Sequence, residues 1–173
     1  VSGTARGRAL SAPLPKDVRP TTDRVKESIF DMLGSLGGVR DKRVLDLFCG
    51  SGALGIEALS RGASHVTFVD ANREALGAAA ANLAAVGLSE SDASFVRASL
   101  PQWTAPEVDL VLMDPPYDRD VSAEFLSGLR AELVVIESRN EPHVPDEWMV
   151  HRQRRYGTTL VTVLIDHTAG EPS

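Results

Sequence analysis

Asp114-Pro115-Pro116-Tyr117 is the stretch of this chain best suited to chemistry. It follows Val108–Met113, a run that reads as a buried parallel strand, and open α/β sheets place their ligands beyond the carboxyl ends of such strands. Two consecutive prolines remove two N–H donors and restrict the residue before each of them. The Asp114 carboxylate and the Pro115 carbonyl then act as acceptors with no competing donor, and Tyr117 adds a flat face beside them. This combination suits a planar group carrying an –NH₂, either a nucleobase or a carboxamide.

A second constellation lies upstream, where Gly50-Ser51-Gly52-Ala53-Leu54-Gly55 has the spacing G-x-G-x-x-G. Nicotinamide and flavin folds share that pattern, so the flanking residues decide its meaning. Asp46 precedes the glycines inside the end of a strand, where a carboxylate can meet the cationic end of a methionine moiety but is poorly placed against a pyrophosphate. Gly50 and Gly52 allow a tight turn around Ser51 and close approach of the backbone to a ligand. Asp70 ends the next expected strand, at the usual distance for an acid that binds ribose hydroxyls. Its competing role is an N-cap for the stretch beginning at Asn72. Adenine is then expected between Ala71 or Asn72 and the turn at Ala98-Ser99. These features favour S-adenosylmethionine, whose sulfonium is already an activated methyl donor and which needs alignment more than acid–base help. Cys49 reads as a packing residue, since nothing beside it supplies a base.

The elements that must position these residues follow from periodicity. Val25, Ile29, Met32, Leu33 and Leu36 fall at helical spacing, with Thr21 or Thr22 as N-cap and Gly37-Gly38 as the stop. Strands are expected at Arg43–Phe48, His65–Asp70, Ala93–Arg97, Asp109–Met113 and Leu133–Glu137. Helices are expected between them, at Ala53–Arg61, Arg73–Val86 and Ala123–Leu129. Single helices between strands imply βαβ units and a parallel, doubly wound sheet. Trp148–Arg155 and Thr159–Asp166 alternate at period two around Tyr156-Gly157-Thr158, which predicts an antiparallel hairpin. The expected fold is therefore α/β, a Rossmann-like methyltransferase sheet, mostly parallel with an antiparallel C-terminal hairpin, preceded by a short arm and a helix.

At 173 residues, 43% hydrophobic and 24% charged, the chain suits one globular domain. We place an arm at residues 1–20 and the catalytic domain at 21–173. No apolar run approaches the ~20 residues of a spanning helix, so no membrane partner is expected. A lone cysteine and the lack of a signal layout suit the cytoplasm. The net charge of −6 is unevenly spread: residues 1–43 hold 9 Lys/Arg against 5 Asp/Glu, and the remainder 9 against 19. Arg6, Arg8, Lys16, Arg19, Arg24 and Lys26 thus form a basic arm on an acidic body, a candidate for phosphate contact. A second basic cluster, His151-Arg152-Gln153-Arg154-Arg155, lies near the end.

Asp46 to Gly55, Asp70 and Asp114 to Tyr117 together resemble the N-methyltransferases of exocyclic amines, whose signature is (D/N/S)-P-P-(Y/F/W). The segment Arg19-Pro20-Thr21-Thr22-Asp23-Arg24-Val25-Lys26-Glu27-Ser28-Ile29-Phe30 resembles the hallmark of the RsmD-type bacterial enzymes. That resemblance implies methylation of N2 of one guanine in 16S ribosomal RNA, the base numbered 966 by convention. It implies further that Asp46, Gly50 and Gly52 line the methionine half of S-adenosylmethionine and that Asp70 binds its ribose. Asp114 and the Pro115 carbonyl would accept from the target amine, with Tyr117 stacked on the base. The partner would be 16S rRNA in the small subunit or an assembly intermediate, and the enzyme a monomer. Ser99 stands where many relatives carry an acid, which leaves the adenine amine to the backbone at Ala98-Ser99. The competing readings are a methyltransferase for adenine N6 or a protein glutamine, a non-catalytic RNA-binding module, and, more distantly, a nicotinamide oxidoreductase.

Overall fold

A computed structural model describes residues 23–100, 102–116 and 121–167. The arm at 1–20, with Arg6, Arg8, Lys16 and Arg19, lies outside the described residues, as do the cap candidates Thr21 and Thr22 and the aromatic Tyr117. The elements run α1 (Asp23–Gly34), β1 (Arg43–Leu47), α2 (Ala53–Ser60), β2 (His65–Asp70), α3 (Arg73–Ala85), β3 (Ala93–Arg97), β4 (Leu110–Met113), α4 (Ala123–Ser127), β5 (Leu133–Ser138), β6 (Trp148–Tyr156) and β7 (Thr159–Asp166). The strands form one seven-stranded sheet in the order β3-β2-β1-β4-β5-β7-β6. Strands β1 to β5 are parallel, and β7 runs antiparallel to both β5 and β6. No helix among the described residues is long and apolar enough to cross a membrane.

Each face of the sheet carries its own core. Helices α1, α2 and α3 close one face through Ile29, Leu33, Ile56, Ala79 and Leu83. Helix α4 closes the other through Phe125 and Leu126 with Trp148. The Trp148 indole N–H donates to the Leu126 carbonyl at 2.9 Å, so the start of β6 is tied beneath α4. Helix α1 needs its apolar stripe to dock. Ile29 and Leu33 are fully buried, each worth about 1.5–3 kcal/mol relative to exposure. The stripe ends earlier than expected: α1 stops at Gly34, and the Gly38 N–H closes the turn on the Leu33 carbonyl at 2.9 Å.

The C-terminal hairpin forms, but without the expected alternation. Strand β7 lies inside the sheet with a core on each face, Val161 and Val163 on one and Leu164 on the other, so Leu160 to Leu164 are all buried. Strand β6 is the sheet edge. Residues 149–155 are exposed whichever way they point, and a bulge falls between Val150 and Arg152. Burial on a strand follows its place in the sheet as well as its pattern.

Candidate active site

Strand order reverses between β1 and β4, and ligands of open α/β sheets bind in the crevice at such a reversal. In the register, Leu47 pairs with both Val69 and Met113. Asp70 and Asp114 therefore leave their strands on either side of the loop that follows β1. The Asp114 N–H extends the ladder to the Leu47 carbonyl at 3.4 Å, and the Cys49 N–H reaches the Val69 carbonyl at 3.1 Å.

The loop between β1 and α2 is wound tightly. Phe48, Gly50 and Gly52 have φ of 56°, 51° and 78°, and left-handed backbone is costly at Phe48. Contact of its ring with the core beneath α4 helps hold it there. A Cβ on Gly50 would meet nothing within 4 Å, so this turn faces open space, as a ligand cradle must. Gly55 has the opposite surroundings: a Cβ there would lie 2.4 Å from the Phe68 ring and 2.9 Å from Asp46 Oδ2.

Three carboxylates gather around this loop. Asp46 is only 1% exposed, and its Oδ2 accepts from the Gly55 N–H at 2.9 Å. Burial pushes its carboxyl well above the usual carboxylate range. The Gly55 N–H opposes that shift, while the charges of Asp114 and Asp70 add to it. Asp46 thus lies beneath the loop and is joined to the start of α2 through the Gly55 N–H. Asp70 accepts from the Gly50 N–H at 3.0 Å and from the Asn72 N–H at 2.8 Å, bridging the first loop to the next one. The helix cap is Asn72, whose side chain accepts from the Glu74 N–H at 2.8 Å. Asp70 is therefore not the cap of α3.

A charge this deeply buried gives a pH signature. In Asp46→Asn, the amide oxygen can still accept from Gly55. Above the ordinary value of 3.8 the unfolded state ionises first, so wild-type stability falls with pH until the folded carboxyl also ionises. Thermal melts of the protein without ligand should show the Asn variant gaining on wild type from pH 4 upward. Parallel curves would contradict this.

The remaining candidates sort clearly. The Ala98 N–H donates to the Asp70 carbonyl at 3.1 Å, so the turns at Ala71-Asn72 and Ala98-Ser99 lie side by side. Ala71, Asn72 and Ser99 are exposed there, while Ser51 and Ala98 are half-buried. Cys49 is buried, and burial followed by the charges of Asp46 and Asp70 raises its thiol, which suits packing and not attack. Arg24 is exposed on α1. Lys26 departs from the expected basic arm. It shares the core-facing stripe with Ile29, Phe30 and Leu33, is 7% exposed, and its ammonium donates to Asp23 at 3.0 Å.

Two features escaped the sequence reading. Asn82, buried in α3, donates from Nδ2 to the Ser51 carbonyl at 3.0 Å and clamps the glycine loop from below. A polar residue on the inward face of an Ala-rich helix was the available signal. Asn82→Ala leaves that carbonyl short of a partner, and cofactor affinity is expected to fall about five- to tenfold with helix content unchanged. Calorimetric titration checks this, and wild-type affinity would remove Asn82 from the site. The second feature is the segment Ser138–His143, running from the last residue of β5, which faces Pro115 and Pro116 across a cleft that Val121 and Ile136 also line. A polar run at the end of a fully buried strand pointed to it.

The sheet order, the glycine loop after β1, the acid ending β2 and the proline-bounded acid after β4 define a class I methyltransferase. Comparison with known proteins agrees. The chain belongs to the family described as Conserved hypothetical protein 95, whose model matches residues 1–165. The ribosomal RNA small subunit methyltransferase D of Escherichia coli K12 is 33% identical, over 99% of this chain and 91% of that protein. The protein of the same name from Haemophilus influenzae is 31% identical, over 91% of this chain and 88% of that one. The solved structure of yhhF from Escherichia coli matches with a TM-score of 0.80 and 33% identity, covering 96% of each chain.

Proposed function

We propose that this protein transfers a methyl group from S-adenosylmethionine to the exocyclic N2 amine of a guanine in 16S rRNA. The observation that carries the reading is the gathering of Asp46, Asp70 and Asp114 around an open glycine turn at the strand-order reversal. Three carboxylates suit a ligand bearing a sulfonium and an ammonium, and they would repel a pyrophosphate. The guanine rests on the resemblance of the Arg19–Phe30 segment, and small-subunit ribosomal RNA is supported by the names of the relatives. The relatives are bacterial, and a cytoplasmic reaction fits an rRNA substrate.

The cofactor, when bound, supplies an activated methyl on a cationic sulfur. Gly50, Ser51 and Gly52 would border its methionine half, Asp70 its ribose, and the turns at Ala71-Asn72 and Ala98-Ser99 its adenine. Asp70 would then exchange its hold on the Gly50 N–H for sugar hydroxyls. The cleft between Pro115-Pro116 and Ser138–His143 would receive the acceptor base, turned out of its RNA stack. Tyr117 would restore lost stacking, worth about 1–3 kcal/mol. The amine lone pair of guanine is delocalised into the ring and is a weak nucleophile. Acceptors at the Asp114 carboxylate and the Pro115 carbonyl hold its two hydrogens and favour a pyramidal nitrogen aimed at the methyl carbon. Positive charge grows on that nitrogen during transfer, and the Asp114 carboxylate stabilises it. The extra proton leaves afterwards to Asp114 or water.

The test is transfer of labelled methyl to small-subunit particles that lack the modification. Label in 16S rRNA is the expected result. Label only in ribosomal protein would favour a carboxamide acceptor, and no transfer despite cofactor binding would favour a non-catalytic module.

A further inference from the structure

The candidate site accounts for Asp114 and its cleft but leaves the basic edge of the sheet without a role. From Trp148 to Ile165 the chain holds Arg152, Arg154, Arg155 and His151 and no acidic residue, although the whole chain has a net charge of −6. All four lie exposed on β6. Arg152 pairs with Val163, Arg154 with Val161 and Tyr156 with Thr159, so these three side chains share one face of the sheet. It is the face on which α1 packs, and the Tyr156 hydroxyl meets the Ser28 hydroxyl of α1. Arg152 and Arg154 therefore continue, along β6, the face on which Tyr156 meets α1. Neither is in an ion pair among the described residues.

The strip also reaches the catalytic edge. Strands β5 and β6 are both antiparallel to β7, so β6 ends on the same edge as β4 and β5. The Arg155 guanidinium, on the opposite face, donates to the Arg139 carbonyl at 3.0 Å, in the segment that lines the acceptor cleft. Arg155 is thus partly committed to that segment, whereas Arg152 and Arg154 point outward. Residues two apart on a strand are about 7 Å apart, which gives each guanidinium room for its own phosphate.

We propose that Arg152 and Arg154 form a phosphate-binding strip that grips the RNA backbone flanking the target nucleotide. This rests on the reading of an RNA substrate given above. Arginine suits phosphate because its planar fork can donate two bonds to one anion. The rival role of these charges is to protect a sheet edge from pairing with a second copy.

The experiment uses the full chain, unmodified small-subunit particles, and salt from 50 to 200 mM. In Arg152→Ala/Arg154→Ala, the slope of log affinity against log salt should fall in magnitude by about 1.4 to 1.8, since each phosphate contact contributes roughly 0.7–0.9. KM for particles should rise about tenfold, with kcat and cofactor affinity unchanged. The control Arg40→Ala/Arg130→Ala removes the same charge from exposed positions elsewhere, and its slope should stay near wild type. An unchanged slope in the strip variant, with or without aggregation, overturns the strip, as does an equal fall in the control. Failure of wild type to bind or methylate the particles is a separate result, and it would overturn the RNA reading itself.

Discussion

Asp114→Ala should lower methyl transfer by roughly 10³-fold while leaving affinity for S-adenosylmethionine within about twofold of wild type. The carboxylate leaves β4 beside the glycine loop, close enough for its charge to act on the buried Asp46. Loss of one preorganised group facing a developing charge costs about 10²–10³ in rate, and here the same group also orients the amine. Asp114→Asn keeps one acceptor and should retain more activity than alanine, though well below wild type. Single-turnover transfer measured beside cofactor titration separates chemistry from binding. An alanine variant of near-normal rate would remove Asp114 from the reaction.

Among the described glycines, Gly55→Ala is expected to be the most destabilising through overpacking. The new Cβ would lie 2.4 Å from the Phe68 ring, 2.8 Å from Val66 Cγ1 and 2.9 Å from Asp46 Oδ2. Phe68 and Val66 are fully buried, and Phe68 is stacked on Phe95 with ring centroids 5.1 Å apart, so neither can yield easily. Overpacking of this kind costs about 1–3 kcal/mol, or roughly 3–10 °C in Tm for a chain of this size. Moving α2 away from the sheet would also stretch the Gly55–Asp46 bond and loosen the loop, so cofactor affinity should fall with stability. Thermal melts with and without cofactor check both. A normal Tm would mean that α2 and the sheet are less closely packed than described.

The parallel half of the fold was legible because its strands are short apolar runs set between helical periods and punctuated by glycine and proline. Every strand except β4 starts where expected, as do α2, α3 and α4, and the boundaries that moved did so by one or two residues. What failed had a common cause, since pattern does not report what lies on the far side of an element. Lys26 reads as part of a basic run, yet the helix turns it into the core stripe. Residues 149–155 alternate at period two in sequence, yet the edge position leaves them all exposed. The candidate site is legible at the level of motif, because the left-handed turn favours glycine at 50 and 52 and the strand pattern puts Asp46, Asp70 and Asp114 at strand ends. Asp46 under the loop, Asn82 clamping Ser51 and the segment at 138–143 depend on tertiary packing, which no local spacing encodes.

Identification of the methylated nucleoside tests the central claim most directly. Small-subunit particles lacking the modification would be treated with the full chain and labelled S-adenosylmethionine. Their 16S rRNA would then be digested to nucleosides and resolved by mass. N2-methylguanosine at a single position, lost with Asp114→Ala, is the predicted result. Label on adenosine N6, on ribose or in protein would contradict it.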